Sequence, residues 1–308
     1  MTTRREVLEA GLAAGAMMTI GTVGARAQGT EERSLILKTI PSSGEQVPPV
    51  GIGTNRYGVG KDEAERAPLR ATLERFAQLG GKVIDTAPIY GTSEVVIGDL
   101  VSELGIRDEL FLATKTDITG RMPAPESMRQ SAQRLRTDVV DLMQVHNLVK
   151  VDESLAALRD WKAAGRIRYI GVTISTQDQY DELEQVMRRE TLDFVQLNYS
   201  LDDRKAAERL LPLARDRGFG VLLNLPFGSG GLFQKVEGRA LPDWAAEFDC
   251  ESWGQFFLKY LIAHPAVTCA IPGTRQVRHV VDNFGAARGR LPNEAMRRRQ
   301  ERFIDELT

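Results

Sequence analysis

Four side chains in this sequence have the types needed to polarise a carbonyl group: Asp85, Tyr90, Lys115 and His146. A phenol is a poor acid at neutral pH, with a solution pKa of about 10. A neighbouring ammonium favours the phenolate and is expected to lower that value. A buried lysine needs a counter-charge, and a carboxylate supplies it. Together these groups describe a phenol beside a Lys–Asp pair, able to give a proton to a developing alkoxide. A neutral imidazole next to it can hydrogen-bond a carbonyl oxygen and orient it. Taken singly, each has a plainer role: a structural ion pair, a loop tyrosine, a strand-end histidine. No Ser or Cys nucleophile with a histidine partner stands out, which argues against hydrolysis.

The chemistry requires these four to converge, and the surrounding pattern supplies a way. Val83-Ile84-Asp85 is a short apolar strand that ends in a charge and breaks at Ala87-Pro88. Leu110 to Lys115 and Val139 to Val145 are two further apolar strands, the second running into His146. Helical patterns separate them. From Val50 onward eight strands are expected, each followed by a helix: Val50–Thr54, Val83–Asp85, Leu110–Lys115, Val139–Val145, Arg168–Val172, Phe194–Leu197, Gly220–Leu223 and Val267–Ile271. Strands alternating with helices at this spacing imply parallel pairing through right-handed crossovers. Eight such units fit a closed (β/α)8 TIM barrel, whose C-terminal strand ends gather catalytic groups on one rim. A doubly wound sheet is the alternative, but the segment after the first strand lacks the Gly-rich dinucleotide turn. Leu35–Ile40 and Gln46–Pro49, joined through Pro41–Glu45, read as an N-terminal β-hairpin that plugs or caps the barrel.

Length and composition agree with one such domain. The chain has 308 residues, 42% of them hydrophobic and 27% charged, with a net charge of −2. No basic stripe with interleaved aromatics is present, so a nucleic-acid partner is not expected. Two cysteines, Cys250 and Cys269, make no disulfide framework, and whether they pair is left open by the sequence. No His/Cys cluster has metal-ligand spacing, so no metal is expected.

The residues before the barrel have another character. Arg4-Arg5, an Ala/Gly-rich weakly apolar run, and the small-x-small pattern Ala25-Arg26-Ala27 resemble a twin-arginine export signal over residues 1–27. That resemblance implies the twin-arginine export machinery as a partner and a periplasmic location, or a cytoplasmic one if the signal does not function. Residues 28–34 read as a linker, and residues 35–308 as the barrel. The apolar run is too short and too weakly apolar to span a bilayer.

Asp85-Thr86-Ala87-x-x-Tyr90, Ala113-Thr114-Lys115 and Asp141-Leu142-Met143-Gln144-Val145-His146 resemble the aldo-keto reductases over about Leu35 to Ala287. Asp85, Tyr90, Lys115 and His146 match that family's catalytic Asp, Tyr, Lys and His. The resemblance implies NADPH-dependent reduction of an aldehyde or ketone, with NADH the less favoured cofactor. It also implies a cofactor-binding set. Gly53 and Thr54 follow the first strand, with Asp85 beside them. Thr173 ends the fifth strand, and Gln196, on the sixth, matches a glutamine that bonds the carboxamide. Pro226 and Gly228 follow the seventh strand. Gly273, Thr274, Arg275, His279 and Asn283 match the adenosine-phosphate loop. Two positions depart from the family pattern: Ile174 stands where an asparagine is usual, and Asn224 where an aromatic residue is usual. These departures leave an alternative, an NADP-binding sensor or accessory barrel with little turnover. An aldolase using Lys115 as a Schiff base is a third reading, but a lysine held by a carboxylate is a poor nucleophile. The substrate pocket is expected among the loops at Asn55–Gly58, Met122–Pro125 and Phe227–Phe248, with Trp244 and Trp253 as walls.

Overall fold

The computed structural model describes residues 33–307, so the export signal and most of the linker lie outside the described residues. A short antiparallel hairpin comes first, β1 (Lys38–Thr39) and β2 (Gln46–Val47), with Lys38 opposite Val47. Then β3 (Ile52–Gly53) leads to α1 (Glu63–Gln78), β4 (Val83–Asp85), α2 (Ser93–Leu104), β5 (Phe111–Lys115), α3 (Ala124–Arg134) and β6 (Val140–His146). The alternation continues through α4 (Val151–Ala163), β7 (Ile167–Thr173), α5 (Tyr180–Arg189), β8 (Phe194–Asn198), α6 (Leu210–Arg217) and β9 (Gly220–Asn224). After β9 a short α7 (Gly231–Lys235) precedes α8 (Trp253–Ile262), β10 (Cys269–Ala270), α9 (Val277–Gly285) and α10 (Glu294–Asp305).

Strands β3 to β10 pair in sequence order, all parallel. The ring closes where β10 meets β3: Gly51 N donates to Ala270 O at 2.9 Å, and Gly53 N to Pro272 O at 3.0 Å. This is the (β/α)8 barrel expected from the strand rhythm. Its helices are bounded by chemistry legible in the chain. Asp62, Ser252 and Asn293 cap α1, α8 and α10 by accepting from backbone N–H groups. Gly105 and Gly218 take the left-handed conformation that ends α2 and α6. Two expected helices begin with a 3-10 turn instead, at Gln177–Gln179 and Lys205–Ala207. The α7 turn and a 3-10 turn at Asp243–Phe248 fill a segment read as loop. Among the described residues no helix is long and apolar enough to cross a membrane.

Side chains alternate across each strand, and this places the interior layers. Val83, Phe111, Leu142, Tyr169, Phe194, Leu222 and Cys269 form one buried cluster inside the barrel, together with Ile40 and Val47 of the hairpin. The hairpin thus plugs the N-terminal end. It is tied there by Tyr169, whose hydroxyl donates to Glu45 Oε2 at 2.6 Å, and by an Arg168–Glu45 ion pair. Two residues beyond this apolar layer, the inward positions become Asp85, Gln144, Gln196 and Asn224. Two residues further along its strand His146 reaches the C-terminal mouth, where Asn224 also lines the cavity. The core is thus apolar at the plugged end and polar at the open one. Both cysteines are buried free thiols; burial pushes Cys250 up to about 12 and Cys269 higher still.

Candidate active site

A cavity of about 880 Å³ opens at the C-terminal mouth of the barrel. Asp85, Tyr90, Lys115 and His146 all line it, so β4, β5, β6 and the β4–α2 loop deliver the four candidate groups to one place. Lys115 Nζ donates to both carboxylate oxygens of Asp85, each at 2.8 Å, and to Thr86 O at 2.7 Å. Asp85 and Lys115 are each only 2% exposed. The three donor directions of the ammonium are therefore spent on two residues of one strand end. The ammonium lies 5.6 Å from the centre of the Tyr90 ring.

The electrostatics differ from the expectation in one respect. The Lys115 ammonium pulls the Tyr90 phenol down, as its placement requires, but burial and the Asp85 carboxylate together outweigh it. The phenol therefore sits above its ordinary value rather than below it. A carboxylate bound tightly to the ammonium cancels much of the field that would otherwise reach the ring. Burial also pushes the Asp85 carboxyl up, against the opposing pull of Lys115 and of a hydrogen bond from Gln196. His146 is held down at about 3 by burial and by the Lys115 charge, so its imidazole is neutral throughout the physiological range.

The expected cofactor positions divide into two groups. Gly53, Thr54, Thr173, Pro226, Gly273, Thr274, Arg275 and His279 line the cavity. The Thr54 hydroxyl is engaged, donating to Asp85 O at 2.8 Å. Gln196, Gly228 and Asn283 are not among the lining residues. Gln196 has no exposed surface; its amide accepts from Gln144 Nε2 and donates to Asn224 Oδ1 at 2.7 Å. Gly228 lies against the Asp202 carboxylate, where a Cβ would come within 2.6 Å of an oxygen. Asn283 is buried and donates to Thr274 Oγ1 at 3.1 Å, bracing the loop from behind. Of the two departures, Ile174 and Asn224 both line the cavity.

The expected walls also need correction. Trp244 packs on Phe256 and Phe303, and Trp253 stacks on Phe257 and Phe303, so both bind α8 to α10 rather than facing the cavity. Their apolar area is better hidden between helices than left at a wet mouth. Met122–Pro125 is also absent from the lining, while Phe227, Asn55 and Arg56 belong to it. Sequence reasoning missed Asn147, Ser175, Asn198 and Gln276, all of which line the cavity. It also gave no role to Gln144. The available signal was its position: Gln144 lies between Leu142 and His146 on the inward face of a wholly buried strand.

Three buried polar atoms at this mouth have no hydrogen-bond partner: His146 Nδ1, Asn147 Oδ1 and Asn198 Oδ1. Buried polar atoms are rarely left unpaired, and such a cluster beside a cavity suits a ligand rich in donors and acceptors.

The profile of the Aldo/keto reductase family matches residues 49–302. The chain belongs to that family. It is 30% identical over 254 residues to methylglyoxal reductase YeaE of Escherichia coli, covering 80% of this chain and 88% of that one. It is 32% identical over 205 residues to aldo-keto reductase YhdN of Bacillus subtilis, a match spanning 60% of either chain. Among solved structures, an aldo/keto reductase from Klebsiella pneumoniae in complex with NADP and acetate superposes with a TM-score of 0.73 at 26% identity, over 86% of this chain and 94% of that one. The protein is accordingly an NAD(P)H-dependent oxidoreductase of the aldo/keto reductase family.

Proposed function

We propose that the protein reduces an aldehyde or ketone to an alcohol with NADPH, and that Tyr90 is the proton donor. The observation that carries this reading is the convergence of Tyr90, His146 and the Lys115–Asp85 pair on one cavity. Bound NADPH would supply a hydride from the nicotinamide to the carbonyl carbon. Tyr90, kept protonated by burial and by Asp85, gives its proton to the carbonyl oxygen as negative charge develops there. His146, neutral at working pH, offers a hydrogen bond that orients the oxygen towards the phenol. Lys115 stabilises the phenolate left behind, and Asp85 keeps that lysine fixed.

The cavity residues suit the cofactor at both ends. Arg275 and His279 place basic groups at the end formed by the loop after β10, where a 2′-phosphate would favour NADPH over NADH. The unpaired polar atoms near His146 and Asn198 suit the amide-bearing end. The test is consumption of NADPH by the purified protein with a small aldehyde such as 4-nitrobenzaldehyde. Absence of turnover across a panel of carbonyls, with NADPH still bound, would instead favour a sensor of low turnover. That second reading rests on Ile174, whose apolar side chain cannot hydrogen-bond an amide at a position where the family usually has an asparagine.

Export through the twin-arginine route, giving a periplasmic enzyme, is part of the same proposal and rests on Arg4-Arg5 and Ala25-Arg26-Ala27. Cell fractionation of the full chain against an Arg4→Lys, Arg5→Lys variant tests it; equal distribution of the two would remove the export reading.

A further inference from the structure

Gln144, Gln196 and Asn224 form a file of three amides across the barrel interior. Gln144 Nε2 donates to Gln196 Oε1, and Gln196 Nε2 donates to Asn224 Oδ1 at 2.7 Å. Asn224 Nδ2 then donates to Ile174 O at 3.3 Å. The first contact skips a strand. Gln144 is on β6 and Gln196 on β8, and between them β7 contributes Gly171, paired with Gln144. A Cβ on Gly171 would come within 2.7 Å of Phe194 O, so the position is held open and the two glutamines meet across it.

The direction of this file is fixed by what lies at its end. Ile174 O can only accept, so Asn224 presents Nδ2 to it and Oδ1 to Gln196. Gln196 in turn donates to Asn224 and accepts from Gln144. Reversing the three amides would turn Asn224 Oδ1 towards the Ile174 carbonyl oxygen. The Asn224 amide is thereby locked with Oδ1 towards Gln196 and Nδ2 towards Ile174 O. One N–H of Asn224 is spent on that carbonyl, and the second remains for the cavity, which Asn224 lines.

Gln196 has no accessible surface and no place in the lining, so its amide cannot touch a ligand in this arrangement. We propose that Asn224, oriented by the Gln144–Gln196 amides behind it, makes the hydrogen bond to the carboxamide of the nicotinamide ring, in place of Gln196. This assignment rests on the NADPH-dependent reading above. The location is appropriate, because Asn224 lines the same cavity as Tyr90, Lys115 and His146. Gln144 and Gln196 act as positioning residues: an apolar side chain in place of either would release the Asn224 amide from its fixed orientation.

Calorimetric titration of wild type, Asn224→Leu and Gln196→Met with NADPH and with adenosine 2′,5′-bisphosphate, which lacks the nicotinamide, tests this. Thermal melts establish that each variant is folded. The expected result is that Asn224→Leu weakens NADPH by roughly three- to tenfold, the worth of one neutral hydrogen bond, and leaves the bisphosphate unchanged. Gln196→Met should show the same selective loss. Unchanged NADPH affinity in Asn224→Leu, or equal weakening of both ligands, would overturn the assignment alone. Wild-type protein that binds neither ligand would overturn the cofactor reading and the assignment with it. Should Gln196→Met not fold, Asn224→Leu by itself still decides the contact.

Discussion

The Lys115 ammonium lies 2.8 Å from each carboxylate oxygen of Asp85, and both side chains are sealed from solvent. A pair of this kind is costly to break from one side, because the surviving partner is left charged and buried. Lys115→Met is therefore expected to lower the unfolding free energy by about 3–5 kcal/mol. The double variant Lys115→Met, Asp85→Asn should recover part of that loss, since neither remaining side chain carries a formal charge. Urea denaturation of the three proteins measures this. If the double variant is as unstable as the single one, an uncompensated carboxylate is not the source of the loss.

Tyr90→Phe removes the hydroxyl and little else, because the loop is held here by backbone bonds that the substitution keeps, Tyr90 N to Ala87 O and Ser93 N to Tyr90 O. A positioned general acid contributes about 10²–10⁴-fold to rate. The variant should lose carbonyl reduction by a factor in that range while its NADPH affinity stays within about twofold of wild type, a change too small for a lost ligand contact. Steady-state rates with fluorescence titration of the cofactor distinguish the two effects. A variant with wild-type rate would remove Tyr90 from the proposed chemistry.

The pH behaviour follows from His146 and Tyr90. His146 titrates at about 3 in the folded chain, against an ordinary 6.5. Its folded value is depressed, so the unfolded state binds the extra proton between those limits. Stability on this account is full above pH 6.5 and falls as the pH drops towards 3, by up to about 1.4 kcal/mol per pH unit. His264, held down at about 4 mainly by burial, adds to the loss in the same direction. His146→Gln should flatten the slope between pH 6 and 4 in urea midpoints measured at several pH values. In activity, the kcat/KM profile of the free enzyme should show no inflection near pH 6.5. Its alkaline limb should lie above the ordinary tyrosine value of 10, because Tyr90 is held higher than that. An acid limb centred near pH 6.5 that disappears in His146→Gln would contradict a permanently neutral imidazole.

The fold was legible from the sequence because it is written in period and punctuation. Val83–Asp85 and Phe194–Leu197 are apolar runs bounded by turns or helices, and they appear as strands where expected. Asp85, Lys115 and His146 were legible because a charged or titratable residue at the end of a buried strand stands out locally. The inner amides were not. Gln144, Gln196 and Asn224 belong to β6, β8 and β9, and nothing in any single strand says that their side chains meet. Their contact depends on register between strands and on the space left at Gly171, which are properties of the closed ring. The tyrosine electrostatics were misjudged for a similar reason. The sequence names Lys115 as a neighbour, but the outcome depends on how tightly Asp85 holds it and how deeply the ring is buried. Trp244 and Trp253 looked like pocket walls by residue type, yet α10 returns to cover them.

Arg275 lies in the cavity wall beside Thr274, whose carbonyl accepts a 2.8 Å hydrogen bond from the buried Tyr57 hydroxyl. Thr274 Oγ1 in turn accepts from Asn283, so the backbone that carries Arg275 is braced from two sides. A guanidinium on a fixed backbone is suited to a phosphate, and a hydrogen bond to a charged group contributes about 1.5–3 kcal/mol. Arg275→Ala is therefore expected to weaken NADPH by roughly 10- to 150-fold and to leave NADH within about twofold, since NADH carries no 2′-phosphate. The NADPH affinity of wild type should also fall with added salt, and that slope should be shallower in the variant. Parallel titrations with both nucleotides at two salt concentrations provide the check. Equal weakening of NADPH and NADH would mean that Arg275 meets a part of the cofactor common to both, and the preference for NADPH would then have to come from another residue.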